Sequence, residues 1–253
     1  GVGSGPFSRA EILAGLEVYR SVLGEYPAMQ INHSTNPDNL YWGSKRFSAP
    51  FRPLLARKMR HYRGDEPDSE HFWGDFAKEH VKFIRNHAFN GIVTSAYDPW
   101  SPYRLRSREE WSNYWFSSSA GDTVREFNRL TRPRNVDRLV ASGGYCIVYT
   151  HLAAGFVDGE GRLDRTFERN MRYLASKGGW FVPAQELLEH LLARREGTPG
   201  HLSAWQQYRL DALWLQDRLI KSARNPRRRR SGGRQLPAAL AESTGEADRL
   251  PSQ

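Results

Sequence analysis

Three groups of polar residues follow predicted β-strands, each at the point where its strand ends. The members are His33, Asn36, Asp38 and Asn39 after the first strand, Asp98, Trp100, Tyr103 and Arg104 after the second, and Thr150 and His151 after the third. Imidazoles can bind a metal or transfer a proton, and carboxylates can accept one. Because the carboxyl ends of parallel strands meet at one edge, we expect the three groups to form one site.

Each group also has a purely structural interpretation. Residues 36–39 have the composition of a turn, and Asp98-Pro99 can simply end a strand. A single histidine at a strand end is commonly a hydrogen-bonded structural residue. Only the coincidence of three such groups favours a functional site.

The segments that must position these groups alternate between strand-like and helix-like patterns, which predicts an α/β fold with parallel strands. The predicted strands cover 28–32, 92–96, 145–150 and 180–182. The predicted helices cover 7–23, 72–87, most of 108–140, 163–176, 184–195 and a last segment that starts after Ser203. Ser8 and Glu11 have the spacing of a capping box for the first helix.

The chain is interpreted as one domain over residues 1–196, a linker and C-terminal helix over 197–224, and a disordered Arg-rich tail over 225–253. The apolar stripe of the last helix should pack on the domain; it consists of Trp205, Tyr208, Ala212, Leu215 and Leu219. Of the net charge of +9, seven arginines against three acids lie beyond residue 223. We therefore expect no sequence-specific binding of nucleic acid, only non-specific contact through Arg227 to Arg230.

Composition excludes several classes of protein. No apolar run approaches the ~20 residues that span a bilayer, and the first residues do not have the pattern of a signal peptide. The single cysteine, Cys146, excludes an internal disulfide and a cysteine-based zinc site. Its apolar surroundings predict a small buried side chain. Compartment and oligomeric state stay open.

The order of these motifs resembles the polysaccharide deacetylases, the NodB-homology group of carbohydrate esterases. The most specific stretch is GGYCIVYTHLAAGF, a hydrophobic strand ending in His151, followed by a helix and GGWFVPAQELLEHL. INHSTNPDN occupies the place of the family's His-Ser/Thr-x-x-His metal motif, and DPWSPYR lies near its Arg-x-Pro-Tyr motif. The resemblance covers residues 7–192 and implies an irregular (β/α)7-type barrel.

The resemblance implies removal of an N-acetyl group from an amino sugar in a polysaccharide. In the family a divalent metal, usually zinc, is held by one Asp and two His and activates a water molecule. On this mapping His33 binds the metal, and His151 is the general acid that protonates the leaving amine. The expected substrate-binding residues are Asp98, Trp100, Tyr103, Arg104, Asn36 and Asn39.

Two departures from the family's pattern argue against catalysis by this chain. The Thr-Phe-Asp-Asp-Gly motif should precede the first helix, where only GVGSGP stands, so we expect the first barrel strand and its acids to be missing. Pro37 stands where the second metal histidine belongs, which predicts weak zinc binding or none. The alternative is a non-catalytic member of the same fold that binds a carbohydrate or a protein. An unrelated α/β enzyme and a nucleic-acid-associated protein remain further alternatives.

Overall fold

Parallel strands form the sheet at the centre of the fold. The computed structural model describes residues 7–33, 35–195 and 200–224, with side chains up to residue 221. In this part of the chain the strands are β1 (Met29–Gln30), β2 (Phe83–Phe89), β3 (Tyr114–Ala120) and β4 (Val148–Tyr149), in the order β1-β2-β3-β4. The predicted α/β class with parallel strands is confirmed, and the deacetylase-type barrel stays a prediction. The predicted tail 225–253 lies outside the described residues.

Helices connect and flank these strands. They are α1 (Arg9–Leu23), α2 (Arg52–Ala56), α3 (Gly74–His80), α4 (Thr94–Tyr97), α5 (Val124–Leu130), α6 (Pro133–Ser142), α7 (Arg165–Ala175), α8 (Ala184–Ala193) and α9 (Ala204–Arg224). Two short 3-10 helices lie at Gly43–Arg46 and Arg106–Arg108. Among the described helices, none combines the length and apolar character that crossing a bilayer requires.

The first helix begins where the sequence predicts. The Ser8 hydroxyl accepts the Glu11 N–H, and the Glu11 carboxylate accepts the Ser8 N–H at 2.8 Å, so the capping box is complete. Gly24 ends the helix with a φ of +84°, in the left-handed region where glycine avoids strain. Ile12 and Leu16 of this helix pack against the core, whereas Tyr19 and Leu23 are exposed.

The second half of the predicted helix 72–87 is wrong. Helix α3 ends at His80, and the next residues form β2, whose start is joined to β1 by hydrogen bonds from Lys82 and Phe83 N–H to the Ala28 carbonyl, each 2.9 Å. Strand β2 lies between two neighbours and is buried on both faces. A strand that is buried on both faces need not alternate apolar and polar residues, so the period of two that identifies a strand is missing from this segment.

The predicted strand 92–96 and the helical interpretation of 108–140 are also wrong in part. Residues 94–97 form the short helix α4, and strand β3 occupies residues 114–120. Its core carries Ser117, Ser118 and Ser119, all buried, so the hydrophobic pattern that predicts a strand is missing. Residues 180–182 are not a strand in the structure. The predicted strand 145–150 is confirmed as the shorter β4.

Strand β2 contains a bulge where it pairs with β3. Arg85 is opposite Phe116 and Ala88 is opposite Ser118, so the two residues between them face only Ser117. An extra residue of this kind bends the strand and places two successive side chains on the same side. The normal alternation of a strand is therefore interrupted at this point.

The two residues of the bulge each bind another part of the fold. The Asn86 amide donates to the Tyr103 hydroxyl at 2.8 Å, and the His87 ring is hydrogen-bonded to the Asp211 carboxylate of α9 at 3.0 Å. Both members of the second pair are fully buried. The bulge thus fixes the 98–104 loop and the last helix to the central strand.

Helix α9 packs on the domain, but through a different face from the predicted stripe. Its buried residues are Leu210, Asp211 and Trp214, whereas Trp205 and Leu219 are exposed. The helix is oriented by the carboxylate of Asp211, which accepts the Ser48 N–H at 2.6 Å as well as bonding His87. A buried polar anchor of this kind cannot be found from apolar periodicity alone.

The buried histidine makes stability depend on pH. Burial lowers the pKa of His87 to about 4, although the Asp211 carboxylate acts in the opposite direction. The unfolded chain, with a histidine pKa of about 6.5, binds more protons between these values. The free energy of unfolding should therefore fall as the pH falls through this window, by up to about 3 kcal/mol from His87.

Urea unfolding of the wild type and of His87→Asn, at about pH 7 and about pH 5, measures this effect. The variant lacks the titrating ring, so its unfolding free energy should change less between the two pH values. Equal changes in both proteins would show that His87 does not carry the dependence.

Candidate functional site

A cleft of about 480 Å³, counted with its solvent-open mouth, lies at the carboxyl ends of the strands. Its lining consists of Asn32, His33, Trp42, Arg46, Arg85, Ala88, Ala120, Asp122, Tyr149, His151 and Arg218. Each strand contributes at or just beyond its end: His33 after β1, Ala88 in β2, Ala120 in β3 and Tyr149 in β4. This is the edge at which ligands bind in parallel α/β folds.

The structure brings His33 and His151 together. Their ring centroids are 6.0 Å apart and the ring planes are nearly perpendicular, at 89°. These residues follow β1 and β4, the two outer strands, which would be about 14 Å apart in a flat sheet of four strands. The curl of the sheet and the reach of the two side chains therefore create this pair.

His33 is held by the turn that follows it. Its N–H donates to the Asn39 side-chain oxygen at 3.0 Å, the Asn39 amide donates back to the His33 carbonyl, and Nδ1 is hydrogen-bonded to the Thr35 hydroxyl at 2.8 Å. Asn39 is fully buried and does not line the cleft. The Asn36 side chain accepts the Thr35 hydroxyl at 3.1 Å. In this structure both predicted amides order the loop that presents the imidazole.

His151 is oriented through both ring nitrogens. Nε2 is hydrogen-bonded to the Tyr149 hydroxyl at 2.8 Å, and Nδ1 to the Asp122 carbonyl at 3.2 Å. The His151 N–H also donates to that carbonyl, at 3.3 Å. The imidazole is exposed to solvent, and the Asp122 side chain lines the same cleft. These bonds hold an exposed imidazole in a fixed orientation at the opening of the cleft.

Two almost buried arginines form the floor of the cleft. Arg46 is 1% exposed and lies over the Trp42 and Trp214 rings, with a distance of 4.3 Å from its guanidinium carbon to each ring centroid. Arg85 is 6% exposed and lies over the Tyr149 ring at 4.0 Å. Aromatic faces stabilise such cations and hold the guanidinium planes in place.

A third arginine reaches the cleft from α9. The Arg218 guanidinium donates to the Ala88 carbonyl at 3.0 Å and lies 5.0 Å from the Trp214 ring centroid. The described lining therefore holds three guanidinium groups against one carboxylate, that of Asp122. Cationic side chains therefore outnumber anionic ones among the described lining residues.

Sequence reasoning did not find these arginines. Arg85 lies in a segment predicted to be helical, Arg46 in a loop, and Arg218 near the end of the last helix. One signal was present: Arg85 interrupts the otherwise apolar start of β2, FIRNHAF. A charged residue inside a buried strand needs a compensating environment and marks a candidate site.

The group around Asp98 is not part of the cleft. Asp98 is fully buried, and its carboxylate accepts the Ser101 and Ser117 hydroxyls at 2.6 Å each and the Trp100 N–H at 3.2 Å. Ser117 and Ala120 are three residues apart in β3 and so point to opposite faces, and Ala120 lines the cleft. Burial raises the pKa of the Asp98 carboxyl, against the serine hydrogen bonds, which lower it.

The other predicted members of this loop have structural contacts as well. Tyr103 is fully buried, and its backbone pairs with that of Trp115, so its ring has no face to offer a sugar. Trp100 is partly buried against the core, with the Arg209 guanidinium 5.7 Å from its ring centroid. Arg104 lies 3.6 Å from the Glu109 carboxylate. The expectation that this loop faces His33 and His151 is corrected accordingly.

The zinc site implied by the resemblance does not fit the residues present. In the described part of the chain, no three side chains of His, Cys, Asp or Glu are grouped so that they could hold a metal ion. The cleft offers His33, His151 and Asp122, and both ring nitrogens of His151 already have hydrogen-bond partners. The chemistry considered below therefore uses no step through a metal.

No family model matches this chain, and no curated protein or solved structure is detectably similar to it. The fold and the cleft alone define the class. The chain is a mixed α/β protein with a parallel sheet and a cleft lined in part by arginines at the carboxyl ends of its strands.

Because Asp98 is bonded only within the core, we expect its substitution to lower the stability of the fold rather than ligand binding in the cleft. In Asp98→Ala, the Ser101 and Ser117 hydroxyls lose their buried acceptor, which should lower the free energy of unfolding by about 3 kcal/mol. Asp122→Ala is the matched control, because this carboxylate borders the open cleft, and its loss should cost less than about 1 kcal/mol. Urea unfolding compares the two variants. Similar losses would contradict the assignment of Asp98 to the core.

Proposed function

We propose that this chain binds a carbohydrate in the cleft between His33 and His151. The observation that carries the proposal is the lining itself, in which hydrogen-bonding side chains from several separate segments of the chain converge on one opening. Sugars present many oxygen acceptors, and arginine, histidine, asparagine and tyrosine are the side chains that can donate to them. The resemblance to carbohydrate esterases points to the same class of ligand.

The rigidity of the cleft supports this proposal. The buried Asn39 amide fixes the backbone of His33, and Tyr149 fixes the ring of His151. Side chains held in place before binding lose less conformational entropy when a ligand arrives.

The proposal is tested with the purified chain and a panel of small soluble sugars, including N-acetylglucosamine, its oligomers and D-glucuronic acid, by calorimetric titration. We expect His33→Ala to weaken binding by about 10-fold or more, because a hydrogen-bonding group at the opening is lost. His61→Ala is the control, since that imidazole is exposed and hydrogen-bonded to Glu66 outside the cleft lining. Equal affinities of the two variants, or no binding of any sugar by the wild type, would refute the proposal.

Amide hydrolysis is the second candidate function. It is supported by the position of His151 at the opening, 6.0 Å from His33, because the resemblance assigns proton donation to His151. The described lining contains one carboxylate, Asp122, whereas the family's mechanism uses acids for both the metal and the water. Binding is therefore the first candidate and hydrolysis the second.

If the chain is a deacetylase, His151→Ala should reduce acetate release from acetylated chitooligosaccharides by about 100-fold or more. The assay is run with and without added zinc, because the resemblance implies a metal. His190→Ala, which removes an imidazole packed on Trp180 and outside the cleft lining, is the control and should keep full activity. An unchanged rate in His151→Ala would exclude this histidine as the general acid.

A further inference from the structure

We propose that a surface formed by α9 and the segment around α2 binds single-stranded nucleic acid without preference for sequence. The surface has two parts. The aromatic row consists of the side chains of Phe51, Tyr208 and Trp205, and the basic segment consists of residues 49–64. The proposal goes beyond carbohydrate binding, because the described lining of the cleft includes none of the three aromatic residues.

The rings of the aromatic row stack on one another. The ring centroids of Trp205 and Tyr208 are 5.6 Å apart with 20° between the planes, and those of Tyr208 and Phe51 are 5.2 Å apart with 18° between the planes. Tyr208 therefore lies in the middle of the row, and Trp205 forms one end. Nucleobases of every kind stack on aromatic side chains, because each base has a flat π face. A base stacked on Trp205 continues the row by one ring.

The packing of α9 on the domain does not require an aromatic ring at Trp205. The helix is held by Leu210, Asp211 and Trp214, which are buried. Trp205 lies in the first turn and is 67% exposed, and the neighbouring Tyr208 is 38% exposed. Large apolar side chains grouped at the surface commonly mark a site that binds a ligand or a partner.

The basic segment begins beside the Phe51 end of the row. It contains five cations and no acid: Arg52, Arg57, Lys58, Arg60 and Arg63. All five side chains are exposed. The Leu55 N–H donates to the Phe51 carbonyl and the Met59 N–H to the Leu55 carbonyl, as in a helix. At the helical rise of 1.5 Å per residue, Lys58 therefore lies about 10 Å from Phe51 along the chain axis.

The stretch of α9 that carries the row adds no exposed carboxylate. Asp211 is the one acid that the sequence has between residues 197 and 216. It is fully buried and accepts the Ser48 N–H as well as bonding His87. A phosphate chain that runs from the row to the basic segment therefore meets cations, and the release of its counterions favours binding.

The combination of the two parts favours single-stranded nucleic acid over other ligands. Stacked rings without cations suit a neutral sugar, and cations without rings suit a sulfated polysaccharide. A single strand carries unstacked bases and phosphates on one chain, and proteins bind it through aromatic rings next to positive charge. A duplex has the same phosphates, but its base faces are covered by neighbouring base pairs.

The test measures the binding of the whole chain to a fluorescein-labelled oligothymidine of about 12 nucleotides, a length within the usual range of about 4–16 nucleotides for such sites. A duplex of the same length is the second probe, and heparin is the third. Affinities are determined by fluorescence anisotropy at several salt concentrations. The Arg-rich tail is present in every variant, so its contribution is the same in all comparisons.

Trp205→Ala and Trp180→Ala form a matched pair of variants. Both tryptophans are mostly exposed, at 67% and 56%, and Trp180 lies between α7 and α8, outside the proposed surface. Trp205→Ala should weaken oligothymidine binding by about 5-fold or more, because one stacked base is lost, and should leave duplex binding unchanged. Trp205→Phe keeps a flat ring and should retain most of the affinity. Trp180→Ala should bind like the wild type.

Salt dependence distinguishes phosphate contacts from stacking. Lys58→Gln should weaken oligothymidine binding and reduce the slope of log affinity against log salt by about 0.7, the value for one phosphate contact on a single strand. Trp205→Ala should leave this slope unchanged, since stacking releases no counterion. Arg138→Gln is the control, because Arg138 is an exposed cation on α6, and it should change neither affinity nor slope.

Four results would overturn the proposal. They are a wild type that does not bind oligothymidine, an unchanged affinity in Trp205→Ala, the same loss in Trp180→Ala, and an equal loss of duplex binding in Trp205→Ala. If Trp205→Ala weakens heparin binding as much as oligothymidine binding, the surface is a site for acidic glycans and the assignment to nucleic acid is wrong. The sugar titrations on the cleft are read independently of all these results.

Discussion

The pairing of the buried strand β2 with β1 on one side and β3 on the other is the constraint on which the structure depends. Because the sheet runs β1-β2-β3-β4 and is parallel throughout, all its carboxyl ends lie at one edge. Because it is curled, residues after the two outer strands can touch, and His33 and His151 do. Neither histidine would meet the other if β2 were the helix that its apolar spacing suggests.

The same strand links the core to the cleft. Arg85 faces the opening, whereas Asn86 and His87 bind the 98–104 loop and α9. The buried Arg46 and Arg85 side chains lie against aromatic rings from other elements, which stabilise their cationic groups. Neighbouring residues of one strand therefore contact both the core and the cleft.

The sequence predicted some parts of this arrangement well and others not at all. Helices with caps and a polar outer face, such as α1 and α7, were found from local patterns, since their signals lie within a few residues. Strands β2 and β3 were missed, because one is buried on both faces and the other has a serine-rich centre. The rule that ligands bind at strand ends placed His33 and His151 at one opening. It could not place Arg46 or Arg218, whose approach to the cleft depends on tertiary packing.

The bulge in β2 has a consequence for how this protein can vary. With two residues opposite Ser117, a single stretch of chain holds the 98–104 loop and α9 at once. A relative with one residue fewer between Arg85 and Ala88 would have a regular strand. It would lose either the contact to the 98–104 loop or the contact to α9. Surface turns tolerate insertions and deletions among homologues. We expect the number of residues between Arg85 and Ala88 to stay constant.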